Sequence, residues 1–296
     1  MSVLIYLVLQ IVFSSMFTLV IKWAQNRKTE DVIVVGCLNY ISAALLIFPF
    51  WMLQESTLAT EQEKFWAAVT GGSMGLIYFS AYFLAIIMIR WVGASATSVI
   101  SVLSMLLPIG FGAIYWDDIP SDVQKAGIGF AILALLLMAI KPKTSDEVAR
   151  QLKTASPWLV PTIMIGFFLL CGCSRIAQDA FDNVSNQSEK LTFVLSAFVV
   201  SGIPSTILVI ILGYRNGGIK RSEIGFGLLL GLSNMLQVHF VLFCLQYFPG
   251  FVVFPVTSAG SILFTMFVAT VWLGEKLNLR SYISIAITVV ALFMLQ

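Results

Sequence analysis

Charge is scarce in this chain. Only 11% of its 296 residues are Asp, Glu, Lys or Arg, against about 25% in a soluble domain. With 59% hydrophobic residues and a mean hydropathy of +0.94, the chain cannot cover a water-facing surface, so lipid is its solvent. The net charge of +2 is small and scattered, which excludes the dense basic footprint of a nucleic-acid-binding protein. Histidine occurs once, as His239. One histidine rules out an HExxH zinc site, paired membrane aspartates are absent, and catalysis is not expected. The four cysteines, Cys37, Cys171, Cys173 and Cys244, lie in or beside apolar runs without a CxxC and read as small core residues. The first ten residues, MSVLIYLVLQ, carry no basic region and no small-residue cleavage site, so they read as a retained first span.

Apolar runs are what the chain has instead. A span needs about 20 mainly apolar residues. Ten runs of about that length are expected, over 2–24, 32–53, 65–88, 92–115, 122–140, 157–178, 190–213, 222–245, 250–273 and 279–296. The polar stretch 141–156 separates them into two sets of five, 1–140 and 157–296. The stretch Phe248–Leu295 also has an echo 157 positions earlier. Without a gap, Gly93 falls on Gly250, Ser101 on Ser258, Ser104 on Ser261, Asp118 on Glu275 and Tyr82 on His239. Because five is odd, a second set of five enters the membrane from the opposite side. The fold class expected is therefore all-α, with ten transmembrane helices in two inverted five-helix repeats around a mid-bilayer cavity.

Lys and Arg set the orientation. The connections after odd-numbered spans hold Lys22, Arg27, Lys28, Arg90, Lys141, Lys143, Arg150, Lys153, Arg215, Lys220, Arg221, Lys276 and Arg280. The other side holds Lys64, Lys125, Arg175 and Lys190. Positive-inside then puts both termini outside, in a multi-pass protein of a bacterial inner (plasma) membrane.

Polar groups in hydrocarbon are costly and face a cavity or another helix. In the eighth run, Asn234 and Gln237 share a face and His239 turns to its side, by 100° per residue. Tyr78 and Tyr82 stand one turn apart in the third run, and Asn39 lies in the second. These residues either line a solute cavity or tie helices together. Arg175 either binds an anionic group at a cavity mouth or pairs with Asp179 one turn on. Pro108 and Pro255 interrupt helical hydrogen bonding and permit kinks, and Thr257 and Ser258 follow Pro255 closely enough to line a site. Ser98, Ser101 and Ser104 recur at helical spacing, which favours close packing. Inversion places Lys22 with Glu275 on one side of the membrane and Arg175 with Asp118 on the other, as gate or edge pairs. No Asp or Glu falls mid-span. That argues against carboxylate-relayed proton antiport and for facilitated exchange, or for coupling through His239.

The corner Leu273-Gly274-Glu275-Lys276-Leu277, its echo Asp117-Asp118 and the five-plus-five organisation resemble the drug/metabolite transporter superfamily, in its ten-helix EamA-type branch. The resemblance covers the whole chain. The Lys late in the family's first helix is present as Lys22. Its Trp-Gly pair is replaced by Ser14-Ser15 and Cys171-Gly172. The family implies cytoplasmic termini, opposite to the charge count. It also implies a permease for a small solute, and the aromatic and amide mixture here suits an amino-acid-like or nucleoside-like one. The partners expected are that solute and the bilayer, with a homodimer compatible; no nucleic acid, cofactor or metal is expected. A membrane scaffold or receptor that binds a ligand without flux is the rival from another class.

Overall fold

In the computed structural model, residues 2–26, 31–54, 59–91, 94–139, 158–185, 187–215 and 218–273 are described, with 283, 286, 287, 290, 291 and 294. All regular structure among them is helical: α1 (Ser2–Asn26), α2 (Val32–Met52), α3 (Glu61–Trp91), α4 (Ala94–Leu103), α5 (Leu106–Tyr115), α6 (Asp122–Ala139), α7 (Leu159–Val184), a single 3-10 turn at Gln187–Glu189, α8 (Lys190–Arg215), α9 (Arg221–Leu245) and α10 (Gly250–Leu273). Six of these helices are long and apolar enough to cross a membrane: α1, α2, α3, α7, α8 and α9. The run expected over 279–296 and the polar stretch 141–156 lie almost wholly outside the described residues.

The helices start where capping chemistry starts them. α3 begins at Glu61, ahead of the apolar run, because Thr60 and Glu63 form a capping box. The Glu63 carboxylate accepts from the Thr60 N–H at 2.7 Å, and the Thr60 hydroxyl accepts from the Glu63 N–H at 3.2 Å. Ser121 and Gln124 start α6 in the same way. Asp31 caps α2, accepting from the Ile33 N–H at 2.9 Å. At its far end α7 runs on to Val184, past the expected 178. Its last turns are polar, yet Gln178 and Asp179 are buried, which takes a carboxylate into the helix.

The run expected over 92–115 is broken at Ser104-Met105 into α4 and α5. Pro108 causes this. It has no N–H for the carbonyl four residues back, and its ring crowds that carbonyl. The carbonyl belongs to Ser104, and it accepts instead from the Leu107 N–H at 3.1 Å. Pro255, by contrast, sits inside an unbroken α10.

The chain forms two compact units, and each takes segments from both sides of 141–156. The first comprises Met1–Phe79, Ala177–Phe248 and Gly260–Met266; the second comprises Ser80–Ile176, Pro249–Ala259 and Phe267–Gln296. In the first, α2 packs on both α8 and α9, and α1 packs on α9. Val20, Ala24, Val35, Phe226 and Leu230 form a core between α1, α2 and α9. Glycines set the closest approaches. A Cβ on Gly231 would meet the Asn39 carbonyl oxygen at 2.7 Å and the Ala43 nitrogen at 2.9 Å, and one on Gly227 would strike Leu38. The Ser42 hydroxyl donates to the Gly227 carbonyl at 2.8 Å. On α3, Gly71 and Gly75 lie as close to the backbone of Phe193 and Ala197 on α8. Both pairs have the four-residue spacing that lets membrane helices approach closely.

In the second unit α4 packs on α6. Gly172 of α7 accepts Leu107 against its backbone, where a Cβ would lie 2.8 Å from the Leu107 Cβ. α5 ends at a corner where the Gly112 carbonyl accepts from the N–H groups of Trp116 (2.9 Å) and Asp118 (3.2 Å). Asp117 between them has φ +55°, a left-handed position that favours glycine or a short polar side chain.

Candidate functional site

Two groups of polar and aromatic side chains stand out in the first unit. The first is a chain of amides. The Asn234 amide donates to the Asn39 Oδ1 at 3.3 Å, and the Gln237 amide donates to the Asn234 Oδ1 at 2.9 Å. Asn39 and Asn234 are buried, so this chain joins α2 to α9 through groups that hydrocarbon would otherwise leave unsatisfied. Nearby in sequence, the Tyr40 hydroxyl donates to the Tyr78 carbonyl at 2.9 Å. The Tyr78 hydroxyl accepts from the Gln178 amide at 3.1 Å. Tyr40 and Tyr78 thereby link α2, α3 and α7. Three of the sequence-derived residues are thus brought together (Asn39, Asn234, Gln237), and a fourth, Tyr78, is tied to Gln178. Sequence reasoning passed over Gln178, the last residue of the sixth apolar run.

The second group is aromatic and belongs to α1, α8 and α9. Tyr6 stacks on Phe243 with centroids 4.9 Å apart, and on Phe240 at 6.1 Å. Phe13 stacks on Phe240 at 5.8 Å. His239 meets Phe243 edge-on at 4.9 Å, turned away from the amide chain. Its Nδ1 is buried and has no partner among the described residues, and neither has the Oε1 of Gln10. Gln10 follows Tyr6 by four residues and precedes Phe13 by three, so the three share one face of α1. Lys190 opens α8. Its ammonium lies 3.7 Å from the Phe243 centroid and donates to the Gln246 Oε1 at 2.8 Å. Tyr6, Gln10 and Lys190 were not singled out from sequence. The available signal was a single Gln inside an aromatic 3-4 stripe and a Lys heading an apolar run.

The remaining expected residues fall elsewhere. Tyr82 belongs to the second unit, where its ring meets Phe83 edge-on at 6.1 Å. Arg175, also in that unit, donates to the Val102 carbonyl at 3.4 Å. The Asp118 carboxyl is raised above the usual carboxylate range by partial burial. The Thr257 hydroxyl donates back to the Val253 carbonyl at 2.7 Å, within its own helix, and Ser258 is half-buried beside it. Lys22 lies on α1, but its side chain is outside the described residues, as is Glu275 altogether. One nucleophile pattern is present: Gly71-Gly72-Ser73-Met74-Gly75 has the Gly-x-Ser-x-Gly spacing. It lies within α3, and the exposed Ser73 hydroxyl donates to the Thr70 carbonyl at 2.8 Å. This is not the strand-to-helix turn that raises such a serine for attack.

No family model matches the sequence, and no curated protein does. Among solved structures, one described only as "Crystal structure of protein" superposes with a TM-score of 0.67 at 12% identity, over 99% of this chain and 96% of that one. The likeness is one of fold.

Proposed function

We propose that this protein is a permease of the drug/metabolite transporter type, EamA-like, moving a small polar or amphipathic solute by alternating access between two inverted five-helix repeats. The observation that carries the reading is a matched pair of close helix contacts. Gly227 and Gly231 on α9 stand 156 positions after Gly71 and Gly75 on α3, one short of the 157 of the sequence echo. The segments they press against correspond as well: Leu38–Ala43 on α2 for the first pair, Phe193–Ala197 on α8 for the second. Each contact joins the second helix of one repeat to the third helix of the other. An exchange of this kind is what a two-fold relation in the membrane plane produces. The corner also supports the repeat: Asp117, at φ +55°, stands where the echo has Gly274.

In this reading ten spans cross the membrane, α4 and α5 together making one of them, and both termini face outward by the Lys and Arg count. The buried amides and unpartnered polar atoms of the first unit supply hydrogen bonding to the solute.

The test is a thermal-shift screen of purified protein against a metabolite panel, followed by flux of each hit in proteoliposomes. A ligand at a hundred times its Kd should add about 2.7 kcal/mol to native stability. His239→Ala should abolish the shift, and the hit should cross the vesicle membrane in a protein-dependent way. A hit that binds but never crosses would replace the permease by a receptor or scaffold.

A further inference from the structure

Lys190 is an unusual cation. It is only 6% exposed, and a buried ammonium is normally matched by a carboxylate because leaving water is so costly. Here the groups in direct contact with it are neutral: the Gln246 amide oxygen at 2.8 Å and the face of Phe243 at 3.7 Å. No ion pair to Lys190 occurs among the described residues. Of the nearby acids, Asp182 acts on Lys190 through its charge but makes no contact ion pair with it. Asp182 accepts from the Gln187 amide, and Glu189 accepts from the Thr192 hydroxyl at 2.6 Å. A second observation comes from a different helix. Gln10 is 8% exposed and its Oε1 lacks a partner, on the α1 face whose Tyr6 and Phe13 stack on Phe243 and Phe240. The His239 Nδ1, beside Phe243, lacks one too. Buried polar atoms without partners are rare in folded proteins. Three polar groups with capacity to spare are thus set around half-buried aromatic rings.

We infer that Lys190, with the Tyr6, Phe240 and Phe243 rings, binds a small solute that carries a carboxylate on a planar apolar body, and that Gln10 and His239 receive its further polar groups. The carboxylate supplies the contact ion pair that Lys190 lacks among the described residues. The planar body extends the existing ring stack, at the offset spacing aromatic pairs prefer. This assigns a substrate class to the permease proposed above and rests on that reading for transport, though not for binding.

The experiment uses four probes on the full-length protein in neutral detergent: phenylacetate and indole-3-acetate, with 2-phenylethanol and 2-phenylethylamine as neutral and cationic controls. Affinity is measured by thermal shift and by titration calorimetry. The acids should bind, with the alcohol at least about tenfold weaker, the range a charge-assisted hydrogen bond provides. Lys190→Met, which keeps the apolar stem, should bring the acids down to the level of the alcohol. Lys190→Arg should retain a preference for acids. Equal binding of acid, alcohol and amine would overturn the inference, as would acid binding unchanged in Lys190→Met. If Lys190→Met fails to fold, the wild-type series and Lys190→Arg decide alone. The same measurements in phosphatidylcholine vesicles with and without phosphatidylglycerol distinguish the source of the anion. Lys190-dependent stabilisation by phosphatidylglycerol, with none by the acids, would make a lipid headgroup the occupant and sink the solute. Failure of the acids while another solute crosses the membrane would leave the permease standing. Lys190-dependent acid binding with no flux of any solute would do the reverse.

Discussion

Replacing Gly231 by Ala should force α2 away from α9. The new Cβ would lie 2.7 Å from the Asn39 oxygen and 2.9 Å from the Ala43 nitrogen, besides striking the Ser42 hydroxyl. The hydroxyl can rotate aside, but the two backbone atoms can move only with their helix. Overpacking of this kind costs about 1–3 kcal/mol. The displacement also strains two bonds across the interface. The Asn234–Asn39 bond is already 3.3 Å long, and the Ser42–Gly227 bond is 2.8 Å. Each is worth about 0.6 kcal/mol in membrane proteins. Against this stands the gain in helix propensity from Gly to Ala, about 1 kcal/mol. The net expectation is a loss of about 1–3 kcal/mol. Gly225 is the internal control: it is on the same helix, and a Cβ there would meet nothing within 4 Å. Gly225→Ala should therefore gain up to about 1 kcal/mol. Reversible unfolding in mixed micelles, followed by tryptophan fluorescence, measures both variants against wild type. If Gly231→Ala proved as stable as Gly225→Ala, the close approach of α2 and α9 would be refuted, and with it half of the matched contact behind the proposed repeat.

Truncating the middle of the amide chain, Asn234→Ala, should destabilise by about 1–3 kcal/mol, because the buried Asn39 amide loses its partner and the half-buried Gln237 loses its acceptor. The double variant Asn39→Leu with Asn234→Leu should lose less than the sum of its single variants in the same unfolding assay. Strict additivity would show that the two amides do not interact. Asp118 gives a pH test. Partial burial raises its pKa, so the folded protein holds the proton more tightly than the unfolded chain. Its favourable contribution is complete below the unfolded value of about 3.9 and is lost as pH rises through the folded value. Asp118→Asn should accordingly be more stable than wild type at pH 7, with the advantage fading as pH falls through the folded value and toward the unfolded one. An advantage that does not change with pH would point to packing instead.

How much of this was open to a sequence reading varies by level. Helix positions were nearly all legible, since a long apolar run has few other fates in lipid, and α2, α8, α9 and α10 begin and end within about two residues of the runs. Departures came from polar chemistry at the ends: the capping box at Thr60 moved α3 earlier, and burial of Gln178 and Asp179 carried α7 further. The break at Ser104-Met105 is one turn before Pro108, a position that the missing N–H of proline dictates. For the candidate site the sequence supplied types rather than partners. It put Asn234 and Gln237 on one face and turned His239 aside, as the helical period requires. It did not reveal that Asn39 meets Asn234, that Gln178 meets Tyr78, or that Lys190 is buried against Phe243.

The division has a physical cause. Membership of a membrane helix is decided by composition over about 20 consecutive residues, so the chain alone marked out the helices long and apolar enough to cross hydrocarbon and the polar side chains in them that would need partners. Partner choice is settled differently. Lipid tails and protein cores are equally apolar, so an apolar face carries no record of which neighbour it will meet. Only tertiary packing, through the glycines that admit α2 to α9 and α3 to α8, decided which amides pair. Packing likewise decided that Lys190 was buried against a ring and an amide oxygen.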